Sequence, residues 1–180
     1  DLATVRDDSL QAQVTGQQAQ QLALTDVLTG LPNRASFDQA LTQGLAQAKR
    51  QGWGLAVMFI DVDKFKNIND SHGHDVGDRV LLTVANRLNS FIRDGDMVSR
   101  WGGDEFVCLL LEVKHENDVL RLASKLVQRV AEAVDLSGQI LHIKISIGIA
   151  LSPSDGETAA LLIKHADKAM YKAKGTVAQV

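Results

Sequence analysis

The stretch MVSRWGGDEFVCLLL, Met97–Leu111, sets the frame for the whole chain. Two apolar runs meet at Gly102-Gly103, and paired glycines between strand-forming residues signal a β-hairpin. Upstream, LAVMFI at Leu55–Ile60 is a continuous apolar run that ends in Asp61-Val62-Asp63. Continuous rather than alternating apolarity predicts a strand covered on both faces. Between these lies Asp75–Phe91, where Val80, Leu81, Val84, Leu88 and Phe91 recur at helical spacing. Val119, Leu122, Ala123, Leu126, Val127 and Val130 mark a further helix after the hairpin. His142–Leu151 alternates as a strand, and Ala159–Lys174 closes as a helix. Near the start, Asn33 caps a helix over Arg34–Gln51. The order helix, strand, helix, hairpin, helix, strand, helix predicts an α/β sandwich with a mainly antiparallel sheet flanked by helices.

The 180 residues suffice for one such domain. A formal charge of −3 argues against a broad basic surface for a nucleic-acid polymer, though a single nucleotide needs only a few phosphate partners. Cys108, the lone cysteine, sits in the apolar run FVCLLLEV and reads as a buried thiol in a reducing compartment. No opening leader and no run of about 20 apolar residues is present. A cytoplasmic domain is expected, cut from a longer protein that an upstream segment could anchor in a membrane. Residues 1–24 are polar, with Ala3, Leu10, Val14, Gln17, Gln21 and Leu24 at alternating steps of three and four. This is the seam of a weak coiled coil, and it is equally a frayed helical linker. Turn chemistry at Gly30 and Pro32-Asn33 then places the start of the globular domain, residues 25–180, near Thr25.

Three groups of residues carry chemistry. Asp61 ends a buried strand, where a carboxylate is costly unless it meets a cation; alone, such an Asp-x-Asp is more often a turn or helix cap. Asp104 and Glu105 follow the two glycines at the hairpin tip, and adjacent carboxylates repel unless a cation or proton lies between them. Glycines there let the backbone approach a phosphate chain, although most such tips are plain surface turns. Together with Asp61, the tip offers the oxygen ligands of a phosphoryl-transfer metal centre. The third group is KFKNIND, Lys64–Asp70, with GHDVGD, Gly73–Asp78. Its lysines suit a triphosphate. An amide donating to O6 and a carboxylate accepting from N1–H and the 2-amino group would read guanine over adenine. Taken alone, this segment reads as a solvated loop. The five histidines lack metal-site spacing.

In combination, DVLTGLPNR (Asp26–Arg34), FIDVDKFKNINDSHGHDVGD (Phe59–Asp78), SRWGGDEF (Ser99–Phe106), SIGIA (Ser146–Ala150) and ADKAMYKAK (Ala166–Lys174) resemble the GGDEF family of diguanylate cyclases, in order, across residues 25–174. The resemblance implies a palm-like, ferredoxin-type fold and the condensation of two GTP into cyclic di-GMP. It implies that Asp61 and Asp104, with the Val62 carbonyl, hold the metal, Mg²⁺ or Mn²⁺. Glu105 is then a further ligand or the group that helps deprotonate the attacking 3′-hydroxyl. Asn69 and Asp78 fall on guanine-binding positions, Phe65, Lys66 and Lys174 on phosphate positions, and Gly102 and Gly103 beside the nucleotide. Each domain would bind one GTP, so activity implies a two-fold homodimer, driven by an upstream sensor domain. Arg93-Asp94-Gly95-Asp96 matches the family's inhibitory RxxD product site, through Arg93 and Asp96; any RxxD string is otherwise a charged turn. One departure is that Lys174 is followed by Gly175-Thr176-Val177-Ala178, without the arginine the family commonly carries. The rival expectations are a non-catalytic receptor for cyclic di-GMP or GTP, and an adenylyl cyclase, which the Asn69/Asp78 pattern disfavours.

Overall fold

Asn33 accepts a hydrogen bond from the Ser36 amide at 3.1 Å and opens helix α1 (Arg34–Gln51) in the computed structural model, which describes residues 14–16, 19 and 23–177. Asn33 also ties back to what precedes it: its side-chain amide donates to the Ala23 carbonyl at 2.8 Å, and Ser36 Oγ donates to Leu24 O at 2.6 Å. Of the seam expected in residues 1–24, Ala3, Leu10, Gln17 and Gln21 lie outside the described residues. Val14 is exposed and Leu24 is half-buried.

Strand β1 (Gly54–Val62) follows, and its alternation explains the two-sided core. Leu55, Val57 and Phe59 join Phe37, Leu41, Val107, Leu109, Leu162 and Met170 on one face; Ala56, Met58 and Ile60 join Val80, Val84, Leu88, Phe106, Cys108 and Leu126 on the other. Burying each large aliphatic side chain contributes about 1.5–3 kcal/mol, which is why β1 carries no polar residue before Asp61. The remaining elements are α2 (Phe65–His72), α3 (His74–Asn89), β2 (Met97–Gly102), β3 (Glu105–Val113), α4 (Glu116–Val130), β4 (Val134–Leu136), β5 (Gln139–Leu141), β6 (Ile145–Ser152) and α5 (Ala159–Val177). The main sheet has four strands in the order β2-β3-β1-β6, every neighbouring pair antiparallel. Leaving aside the separate β4–β5 ribbon, this is the split βαβ, ferredoxin-like arrangement expected from sequence.

Two local expectations are corrected, and one element is new. Lys64–Asp70 is not a loop: Phe65 and Ile68, one helical turn apart, pack on the core and hold the eight-residue helix α2. The ladder of the last strand begins at Ile145 rather than His142, although Ile143 is buried. The β4–β5 ribbon turns at Ser137-Gly138 and went unread because each strand is only three residues long.

Candidate active site

Asp61 and Glu105 are register partners on β1 and β3, so both side chains leave the sheet on the face covered by α1 and α5. The Val62 amide donates to the Asp104 carbonyl at 3.1 Å, which locks the hairpin tip to the end of β1. Gly103 adopts φ of 51°, a left-handed turn that glycine enters without strain, and this brings Asp104 and Glu105 beside Asp61. From α5, Lys174 Nζ donates to Asp61 Oδ1. Asp63, two residues on, accepts from Ser146 Oγ at 2.7 Å.

The electrostatics match this crowding. Burial pushes the Asp61 carboxyl above its ordinary range, Lys174 opposes that, and Asp104 adds to it. Glu105 is also pushed up, by burial first and then by the negative charges of Asp61, Asp104 and Asp167. A group of hard oxygen donors too negative for its surroundings suits a hard divalent cation. Among the described residues no three Asp, Glu, His or Cys side chains gather around one point.

Helices α2 and α3 pack on the other face of the sheet, where Phe65 and Ile68 join the core of Met58 and Ile60. In α2, the Asn69 Oδ1 is buried without a hydrogen-bond partner and lies against Gly77 of α3. Phe65 is half-buried beside them, while Lys66 and Asp78 are exposed. The sequence therefore named two groups that the fold gathers: Asp61, Asp104, Glu105 and Lys174 at the hairpin tip, and Asn69 with Phe65 where α2 meets α3.

Arg93 and Asp96 lie at the other end of β2, whose six residues span about 20 Å. Arg93 Nε donates to Asp96 Oδ2 at 3.1 Å, and the Leu111 amide donates to Asp96 Oδ1 at 2.9 Å. Both residues border a cavity of about 430 Å³ that Phe91, Lys114 and Leu122 also line. Cys108 is fully buried, and burial followed by the nearby Asp96 charge pushes its thiol up to about 12.

Sequence reasoning missed the support beneath the tip. The Arg100 guanidinium donates to both oxygens of Asp26 at 3.1 Å and, through Nη2, to the Gly103 carbonyl at 2.8 Å. Asp26 in turn accepts from the Thr29 amide at 2.8 Å and hydroxyl at 2.7 Å. Burial alone would raise the Asp26 carboxyl, but the Thr29 bonds and Arg100 outweigh it and hold it below its ordinary range. Trp101 packs edge-on against Phe59 at 5.5 Å and Phe37 at 6.0 Å, with the Arg34 guanidinium 4.2 Å above its ring. The only sequence signal was their presence in DVLTGLPNR and SRWGGDEF, since nothing local pairs Asp26 with Arg100.

This geometry accords with the comparisons. The family model "Diguanylate cyclase, GGDEF domain" matches residues 23–179. The chain is 47% identical over 154 residues to the bifunctional diguanylate cyclase/cyclic di-GMP phosphodiesterase MucR of Pseudomonas aeruginosa, covering 86% of this chain and 22% of MucR. It is 43% identical over 154 residues to the cyclic di-GMP phosphodiesterase NbdA of the same organism, covering 86% of this chain and 20% of NbdA. The chain thus spans about a fifth of the length of these relatives. A solved structure of TpbB from Pseudomonas aeruginosa, comprising only its GGDEF domain, superposes with a TM-score of 0.83 at 43% identity, covering 84% of this chain and 89% of that one. With the sheet order, the carboxylate tip and the family model in agreement over nearly all the described residues, the chain belongs to the GGDEF family of diguanylate cyclase domains.

Proposed function

We propose that residues 25–180 form a catalytic domain that condenses two GTP into cyclic di-GMP with release of two pyrophosphates, and that residues 1–24 form a helical stalk leading into it. The observation that carries this reading is the register pairing of Asp61 with Glu105, beside Asp104 and under Lys174. Asp61, Asp104, Glu105 and the Val62 carbonyl would hold a divalent cation, Mg²⁺ or Mn²⁺, which supplies charge neutralisation at the α-phosphate. Asn69 and Asp78 read the guanine, and Gly102 and Gly103 let the triphosphate lie against the tip. Phe65 and Lys66 meet the phosphates at the start of α2. Lys174, now on Asp61, would exchange that contact for a phosphate oxygen. Glu105, whose proton affinity is raised by burial and its neighbours, suits acceptance of the proton from the attacking 3′-hydroxyl.

In each transfer, the 3′-oxygen of one GTP attacks the α-phosphorus of the other in line, and the bond to the β-phosphate oxygen breaks. One domain presents one nucleotide, so two copies must face each other as a two-fold homodimer. An upstream sensor domain in the longer protein would govern that encounter. Catalysis is proposed to take place in the cytoplasm; among the described residues no helix is long and apolar enough to cross a membrane. Arg93 and Asp96, beside their cavity, are proposed to bind accumulated product and inhibit. The same cavity supports the second reading, a receptor that binds cyclic di-GMP without turnover.

The test is incubation with GTP and Mg²⁺ at several protein concentrations, with mass analysis of products, for wild type and Asp104→Asn. Cyclic di-GMP from the wild type, rising per subunit with concentration and lost in the variant, is the expected result. A folded wild type that binds nucleotide but forms no product supports the receptor reading instead.

A further inference from the structure

Gly77 closes the first turn of α3, is buried, and has ordinary helical backbone, so no left-handed turn demands a glycine there. A glycine inside a helix weakens it. A side chain at the position would instead have to displace a neighbouring side chain. A Cβ at residue 77 would stand 1.8 Å from Asn69 Oδ1 and 2.9 Å from Asn69 Cγ. Its next neighbour, Phe65 Cζ, would be at 3.4 Å, an ordinary contact. Asn69 is therefore the group for which the space is kept.

We propose that Gly77 is a positioning residue that sets which end of the Asn69 amide faces the nucleotide base. This rests on the reading of Asn69 and Asp78 as guanine contacts. The Asn69 Oδ1 is buried with no hydrogen-bond donor in reach. Against Gly77 it meets a Cα with two slightly positive hydrogens and no Cβ, a surface that accommodates an oxygen but offers an amide NH₂ no acceptor. The oxygen is thereby turned inward and the NH₂ outward. An outward NH₂ donates to guanine O6, while Asp78 accepts from N1–H and the 2-amino group. Adenine offers an amino donor and a bare N1 at the corresponding positions, so it opposes both. The absent side chain at 77 thus acts on base choice through the polarity of one amide.

The test is calorimetric titration of non-hydrolysable GTP and ATP analogues, with Mg²⁺, into wild type, Gly77→Ala, Asn69→Ala and the double variant, with thermal melts of each. Gly77→Ala is expected to weaken the GTP analogue about tenfold, as for a lost hydrogen bond, and to narrow the preference over the ATP analogue. Asn69→Ala should do the same. The double variant should bind no worse than Asn69→Ala, because removing the amide makes room for the Cβ; it also folds if the clash alone prevents Gly77→Ala from folding. A Gly77→Ala protein with wild-type affinity and base preference overturns the proposal while leaving Asn69 as a guanine contact. So does a further loss from Gly77→Ala in the Asn69→Ala background, which would mark a general packing role. Unchanged GTP-analogue binding by Asn69→Ala removes the guanine-reading role itself, and this proposal with it.

Discussion

Lys174, on the last helix, donates its ammonium to the Asp61 carboxylate at the end of the central strand. An ammonium there neutralises a crowd of carboxylates that is otherwise short of positive charge. Lys174→Met should lower the stability of the metal-free domain by about 1–3 kcal/mol, because the largely buried Asp61 carboxyl loses its partner. Direct Mn²⁺ titration by electron paramagnetic resonance should show tighter metal binding in the variant, since the competing cation is gone. Equal affinity for wild type and variant would mean that the ion pair does not restrain Asp61.

The Asp26–Arg100 pair predicts a pH dependence whose sign is set by the lowered Asp26 carboxyl. Folding favours the ionised form, so the stabilisation is complete above the ordinary carboxylate pKa and is lost as pH falls through the lower folded value. Asp26→Asn should cost about 1–3 kcal/mol near neutrality. Urea melts in steps below about pH 4 should show wild type and variant converging. A gap that holds constant into strong acid would assign the loss to packing.

Arg93 and Asp96 form one ion pair, but their exposures differ: the Arg93 side chain is 61% exposed and that of Asp96 is 5%. Arg93→Ala should therefore change stability by about 0–1 kcal/mol. Asp96→Ala should cost about 1–3 kcal/mol, because it strands the Leu111 amide. If Arg93 forks onto a phosphate of cyclic di-GMP, its removal should weaken product binding by about tenfold or more. Melts and a cyclic di-GMP titration of both variants separate the two roles.

Gly148 on β6 meets α5 so closely that a Cβ would stand 2.0 Å from the Ala166 carbonyl oxygen and 2.2 Å from the Met170 amide nitrogen. Backbone atoms cannot rotate out of the way. Gly148→Ala should push α5 from the sheet at a cost of about 3 kcal/mol, and with it the placement of Lys174. A melting temperature within error of wild type would contradict this packing.

The residues that were legible in sequence are those whose role is written locally. The run Leu55–Ile60 announces a strand buried on both faces, and Gly102-Gly103 announces the hairpin that brings Asp104 and Glu105 to Asp61. What was not legible depends on distant contacts. Helix α2 has only Phe65 and Ile68 as apolar residues in its eight positions, so its periodicity was too short to read, and only the core beneath makes it a helix. The Arg100–Asp26 pair joins residues 74 positions apart, and no pattern in either segment names the other. Gly77 and Gly148 stood inside quoted motifs, yet only the approach of Asn69 and of α5 gives their lack of a side chain a meaning.

The strand order also bears on how the chain is made. Strand β1 occupies the middle of the sheet, yet it leaves the ribosome before both strands that flank it, β3 and then β6. Through that interval its apolar residues and unpaired backbone groups are available to any other nascent chain, the condition under which strands template association. Pairings so far apart in sequence also close slowly. A translation product ending before Ile145 lacks β6 and so keeps one side of β1 bare, the exposed edge on which strands of other chains can add.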